Sequence, residues 1–81
     1  MEIQLFVRHF ENAIEGIEPE SLTPATRFHL LTQWDSLALL CLLAMIDCEY
    51  SVQIPGMELK GCATLQDVFD LVCSKLHAQA A

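Results

Sequence analysis

The feature that most constrains how this chain can fold is a run of ten apolar residues, Leu37 to Ile46, entered through Asp35-Ser36. Such a run is too short to cross a bilayer as a helix. Wound as a helix, it places apolar side chains on every side. The chain has 81 residues, and a domain of that size buries only about two thirds of its unfolded surface. It can scarcely bury one helix all round. The run therefore predicts a helix with one face in the core and another held out to a partner. At about 100° per residue, Leu39, Leu42, Leu43, Ile46 and Tyr50 gather on the bulkier side, expected to face the core. Leu37, Cys41, Ala44 and Cys48, flanked by Leu40 and Met45, gather on the smaller side, expected to face outward.

The rest of the chain reads as helices around this one. Ile3, Phe6, Val7, Phe10, Ala13, Ile14 and Ile17 recur at helical spacing, with Gln4, Arg8, Glu11 and Glu15 on the opposite face. Gly16 is placed to end that helix and Pro19 to prevent its continuation. The connection from Gly16 to Trp34 is longer than the usual helix–helix link of about 2–8 residues. It needs pins, which Leu22, Phe28, Leu30, Leu31 and Trp34 offer, and Thr23-Pro24 can open a single helical turn within it. Asp35 and Ser36 are both good N-caps for the central helix. Pro55 and two glycines bound a short turn at Gly56 to Gly61. Thr64, with Asp67 three residues on, opens the last helix, whose stripe is Leu65, Val68, Phe69, Val72, Cys73 and Leu76, with fraying expected from His77. The pattern predicts an all-α fold, a small antiparallel four-helix bundle of three main helices and one short one, with a long first loop. The helices are expected at about 2–15, 36–50, 56–61 and 64–77, in a single domain spanning 1–81.

Composition removes several function classes. With 4 Lys+Arg against 11 Asp+Glu the net charge is −7. Arg8, Arg27, Lys60 and Lys75 stand singly, so no basic cluster exists for nucleic acid or for an anionic membrane. An acidic chain suits encounters with basic patches on proteins. Cys41, Cys48, Cys62 and Cys73 match no zinc spacing, and Cys41 and Cys48 cannot pair within one helix. They read as small packing residues in a reducing compartment. No metal site is expected: Asp47 and Glu49 read as a solvated face, and His9, His29 and His77 are scattered. Met1-Glu2-Ile3-Gln4 has no leader character, so a cytoplasmic monomer is expected.

The chemistry concentrates at Asp35-Ser36-Leu37. A serine at a helix N-terminus is accessible, and the unpaired N–H groups and the dipole favour a phosphate there. Taken alone, the same residues read equally as an ordinary cap. No general base adjoins Ser36, and there is neither a nucleophile-elbow sequence nor room for an oxyanion hole. Taken together, Leu22-Thr23-Pro24-Ala25-Thr26-Arg27-Phe28, Trp34-Asp35-Ser36-Leu37, the apolar helix, Ile54-Pro55 and the amphipathic last helix resemble the acyl carrier protein family. The likeness runs from the first helix to about Leu76.

That resemblance implies a non-catalytic carrier whose Ser36 bears 4′-phosphopantetheine taken from coenzyme A by a phosphopantetheinyl transferase. Asp35 and Leu37 would flank that site, with Asp35 helping to position the transferase and magnesium-bound coenzyme A. Acyl groups would ride as thioesters on the arm. Acyl-transferring, ketosynthase-type or acyl-activating enzymes of fatty acid, polyketide or related lipid synthesis would dock on the second helix, at Leu37, Ala38, Cys41, Ala44, Met45, Asp47 and Cys48. Ala38 and Cys41 stand where many members carry acids, so docking is expected to lean on apolar contact and the pathway to be a specialised one. The alternatives are an aminoacyl or peptidyl carrier, although the glycine-rich sequence before the serine of many peptidyl carriers is missing, and a helical adaptor with no prosthetic group.

Overall fold

A computed structural model of the chain describes residues 3–80, in which four helices enclose one core. Helix α1 is Ile3–Ala13. Phe6, Val7 and Phe10 of its apolar face are buried, as is Ile14 just beyond it. The expected start near residue 2 lies outside the described residues. The helix ends before the expected 15, because the chain turns through Ile14 to Gly16, where Gly16 has φ 92°. That left-handed conformation favours glycine. A Cβ there would also meet Gln33 Cγ at 3.3 Å.

Helix α2 is Ser36–Tyr50, closed by Ser51 in the left-handed region, whose N–H donates to the Asp47 carbonyl. Helix α3 is the single turn Gly56–Lys60, and α4 is Leu65–Ala80. Helix α4 thus continues past its expected end at 77, since no proline or glycine interrupts it. Helices α1, α2 and α4 pack on one another. Phe6 joins them, with its ring 5.7 Å from that of Phe69 on α4 and 5.8 Å from that of Tyr50 on α2. Leu59 anchors α3, and Lys75 of α4 holds Glu58 at 3.0 Å.

Sequence pattern misreads one residue of α1. Glu11, expected on the polar face, is only 5% exposed. The long loop folds over it. Glu20 N–H donates to one Glu11 carboxylate oxygen and Leu22 N–H to the other, each at 3.0 Å. A buried carboxylate needs such donors, because an unpaired one loses its hydration with nothing in return. The loop then turns at Thr23–Thr26, with Thr26 N–H donating to the Thr23 carbonyl; this is a turn where a helical one was expected. The only helical residues of the loop are the 3-10 turn Phe28–Leu30. Phe28 is its deepest pin. Its ring lies 4.9 Å from Trp34 and 6.0 Å from Phe10, while Leu30, also expected as a pin, is exposed.

The loop also finishes α4. The Thr26 carbonyl accepts from Leu65 N–H at 3.1 Å and the Pro24 carbonyl from Gln66 N–H at 2.9 Å. Thr64 and Asp67 complete the end as a capping box. Asp67 takes the Ala63 and Thr64 N–H groups, and Thr64 Oγ1 accepts from Asp67 N–H. Those two backbone N–H bonds hold the Asp67 carboxyl below its ordinary range.

Glu11→Ala should cost about 1.5–3 kcal/mol, the range for hydrogen bonds to a charged group, in urea unfolding of the unmodified chain. Exposed Glu15→Ala should stay within about 0.5 kcal/mol of the parent. Equal midpoints for the two variants would show that Glu11 does not hold the loop.

A presented serine at the head of an apolar helix

Asp35 stands outside the helix with extended backbone, φ −153° and ψ −172°. Its Oδ1 accepts from Ala38 N–H at 2.8 Å, and its carbonyl accepts the first α-helical bond from Leu39 N–H at 3.0 Å. Of the two caps allowed by the sequence, Asp35 is the one used. Ser36 is the first helical residue and is exposed, so its hydroxyl is not spent on the cap. The N–H groups of Ser36 and Leu37 have no intrahelical acceptor and sit at the positive end of the dipole.

Aromatic packing sets where this end points. Trp34 precedes Asp35 directly, stacks on Phe10 at 6.3 Å and meets Phe28 edge-on. Its backbone N–H donates to the Leu31 carbonyl at 3.0 Å. The chain therefore enters α2 from a fixed residue. Below Ser36, a hollow bounded by Asp35 and Leu37 opens between the end of α1 and α2.

The outward face of α2 differs in part from expectation. Leu37 is 66% and Leu40 62% exposed, and Ala44, Asp47 and Cys48 are exposed as well, with Cys41 half-buried. Ala38 and Met45, expected on the docking face, are 4% and 8% exposed and belong to the core with Leu42 and Ile46. The spacing 38, 42, 45, 46 turns the inward direction by about 70° from the one that side-chain bulk suggested. Bulk misled because a helix apolar on all sides carries no direction in its own pattern, and the small Ala38 is buried while the larger Leu40 is exposed. Leu39 and Leu43, expected in the core, are half-buried at its margin. Pattern reading also left out two exposed apolar side chains, Leu5 and Met57. A signal for Met57 existed: α3 is one turn, and burial of Leu59 leaves a residue two positions earlier facing away.

His9 and His29 are engaged away from Ser36. His9 Nδ1 and Tyr50 Oη are 2.9 Å apart, and burial first, then Glu49 and Cys73, pushes the Tyr50 hydroxyl up. His29 Nε2 donates to the Cys62 carbonyl at 2.8 Å. Neither imidazole is committed to the serine. All four cysteines are free; Cys62 is buried, which with Asp67 and Glu58 raises its thiol, whereas Cys48 is exposed rather than packed. Among the described residues no group of three or more His, Cys, Asp or Glu side chains could hold a metal ion, and no helix is long and apolar enough to cross a membrane.

The fold thus presents an exposed serine at the first position of a capped apolar helix. The family profile described as phosphopantetheine attachment site matches residues 12–72, and the chain belongs to that family of non-catalytic carriers. No solved structure matches it. The family's prosthetic group is covalent 4′-phosphopantetheine, and its members meet phosphopantetheinyl transferases and acyl-handling enzymes. The helical adaptor without a prosthetic group does not fit this membership.

The cap gives a test that separates two roles of Asp35. Asp35→Ala should lose about 0.5–2 kcal/mol, whereas Asp35→Asn should hold stability, because asparagine caps as well as aspartate. Thermal melts of both decide it. A melt of Asp35→Ala identical to the parent would assign the cap elsewhere.

Proposed function

We propose that Ser36 carries the phosphopantetheine and that the chain is an acyl carrier protein of a specialised lipid or polyketide pathway. The observation that carries this reading is the placement of Ser36, exposed at the first position of α2 while Asp35 makes the cap bond. The residues present fit the group. The free N–H groups of Ser36 and Leu37 would hold the phosphate diester, and the hollow lined by Asp35 and Leu37 would receive the arm. When bound, the group supplies a flexible thiol on which an acyl cargo is held as a thioester. The chain's own part is to hold Ser36 outward, keep Asp35 beside it for the transferase and its magnesium-bound coenzyme A, and present α2 for docking. The four free cysteines support a reducing, cytoplasmic setting.

Incubation with coenzyme A and a broad-specificity phosphopantetheinyl transferase should add one phosphopantetheine to the intact mass, and Ser36→Ala should add none while keeping its helical circular dichroism. An arm on Ser21, Ser51 or Ser74 of that variant would sink the assignment. Loading by adenylating enzymes then separates the acyl reading from the aminoacyl one.

Docking should rest on Leu37, Cys41, Ala44, Asp47 and Cys48, to which exposure adds Leu40. The first acid on that face after Asp35 is Asp47, so apolar contact supplies much of the affinity and added salt should weaken binding little. Ala44→Arg should impair modification or acyl loading with a stability change within about 0.5 kcal/mol. Leu42→Arg should unfold the chain, since it forces an unpaired charge into the core. Unfolding by Ala44→Arg alone would invert the two faces.

A further inference from the structure

We infer that, in the modified chain, the thiol of the arm can close onto Cys41 as an intramolecular disulfide, in the groove between α1 and α2; this rests on Ser36 being the attachment residue. The hollow bounded by Asp35 and Leu37 does not end beside the serine. Ala13 and Cys41 line it, and the same two residues line the next groove, which runs on between α1 and α2 past Ala44 to Cys48. The two hollows share the wall made by Ala13 and Cys41, and together they run from the residues flanking the attachment serine along α2 to Cys48. The walls are apolar and low at Cys41, since Ala13 and Ala44 are small.

Reach selects between the two thiols. Extended at the dimensions of a polypeptide backbone, the arm measures about 16 Å from phosphorus to sulfur. Cys41 is five residues from Ser36 along α2, about 7.5 Å of rise, and Cys48 twelve residues, about 18 Å. The arm meets Cys41 with slack to cross to its side of the helix. It meets Cys48 only when drawn out straight, which costs the conformational freedom that a slack arm keeps. Tethering raises the effective concentration of one thiol at the other without any new contact.

The step balances with a low-molecular-weight disulfide as oxidant. The arm thiolate attacks glutathione disulfide, forming a mixed disulfide and releasing one glutathione. The Cys41 thiolate then attacks the arm sulfur, the mixed disulfide breaks, and a second glutathione leaves. The arm and Cys41 lose two hydrogens, and the oxidant gains them as two glutathiones. Closed in this way, the arm has no thiol for an acyl group and lies along the docking face, so oxidation takes the carrier out of service and a reductant restores it.

The test uses the modified chain, first shown by intact mass to carry one arm, exposed to glutathione disulfide. The expected product shows in peptide mapping an arm–Cys41 disulfide, two hydrogens lighter than the two thiols it joins, with no glutathione on the arm or on Cys41. Cys48→Ser should close in the same way. Cys41→Ser should lose the closed form and retain glutathione on its arm, with helical circular dichroism unchanged. An arm that is gained but never closes, closure that survives Cys41→Ser, or closure that is lost in Cys48→Ser would each overturn the inference while leaving the attachment site standing. Failure to gain the arm at all would remove the attachment reading and this one with it.

Discussion

The placement of the long loop depends on the Glu11 carboxylate, which takes one backbone N–H from Glu20 and one from Leu22. Ordering each loop residue costs roughly 1–2 kcal/mol of backbone entropy, so the connection between α1 and α2 holds its path only where contacts offset that cost. From Leu22 onward the offsets come in sequence. The carbonyls of Pro24 and Thr26 take N–H groups at the head of α4, and Phe28 fills the core against Phe10. His29 reaches the Cys62 carbonyl, and Trp34 stacks beside the last step into α2. A carboxylate on the first helix thereby sets, through the loop, where the serine of the second is shown.

Helix α2 serves two masters with one composition. Its core side needs only Ala38, Leu42, Met45 and Ile46, and the other side is apolar without being buried. Leaving Leu37 and Leu40 in water gives up about 25 cal/mol for each Å² of apolar surface that stays wet. An 81-residue chain has no second layer to cover them. Under the proposed docking role, the exposed leucines are the contact surface itself, left in water between encounters.

What could be read in advance and what could not divide along a physical line. Signals local to one helix were legible: the stripe of α4 through Leu65, Val68 and Val72, a cap at Asp35 or Ser36, the Thr64–Asp67 box and the left-handed turn at Gly16 all follow from residue type and spacing. What failed depended on which element comes to lie over which. Glu11 has the spacing of a solvent-facing residue and is buried only because a distant stretch folds across it. Ala38 and Met45 could not be assigned inward, because a helix apolar on all sides carries no direction in its own pattern. Leu30 reads as a pin by hydrophobicity, but its neighbour Phe28 takes the core position and the 3-10 turn leaves Leu30 outside. For the site, Ser36 was legible as an exposed helix start, while its meaning came from the order of motifs along the whole chain.

The Asp35 carboxylate has two oxygens, and the cap occupies one of them. The bond from Ala38 N–H fixes the side chain in a single orientation, so the second oxygen is aimed before any partner arrives. An enzyme that reads this carboxylate meets a preorganised ligand and need not immobilise a free rotamer, a saving of about 0.5–1.5 kcal/mol per side chain on association. Under the role proposed for Asp35, folding and recognition draw on the same torsion angles, and a change that loosens the cap blunts recognition even where the charge is kept.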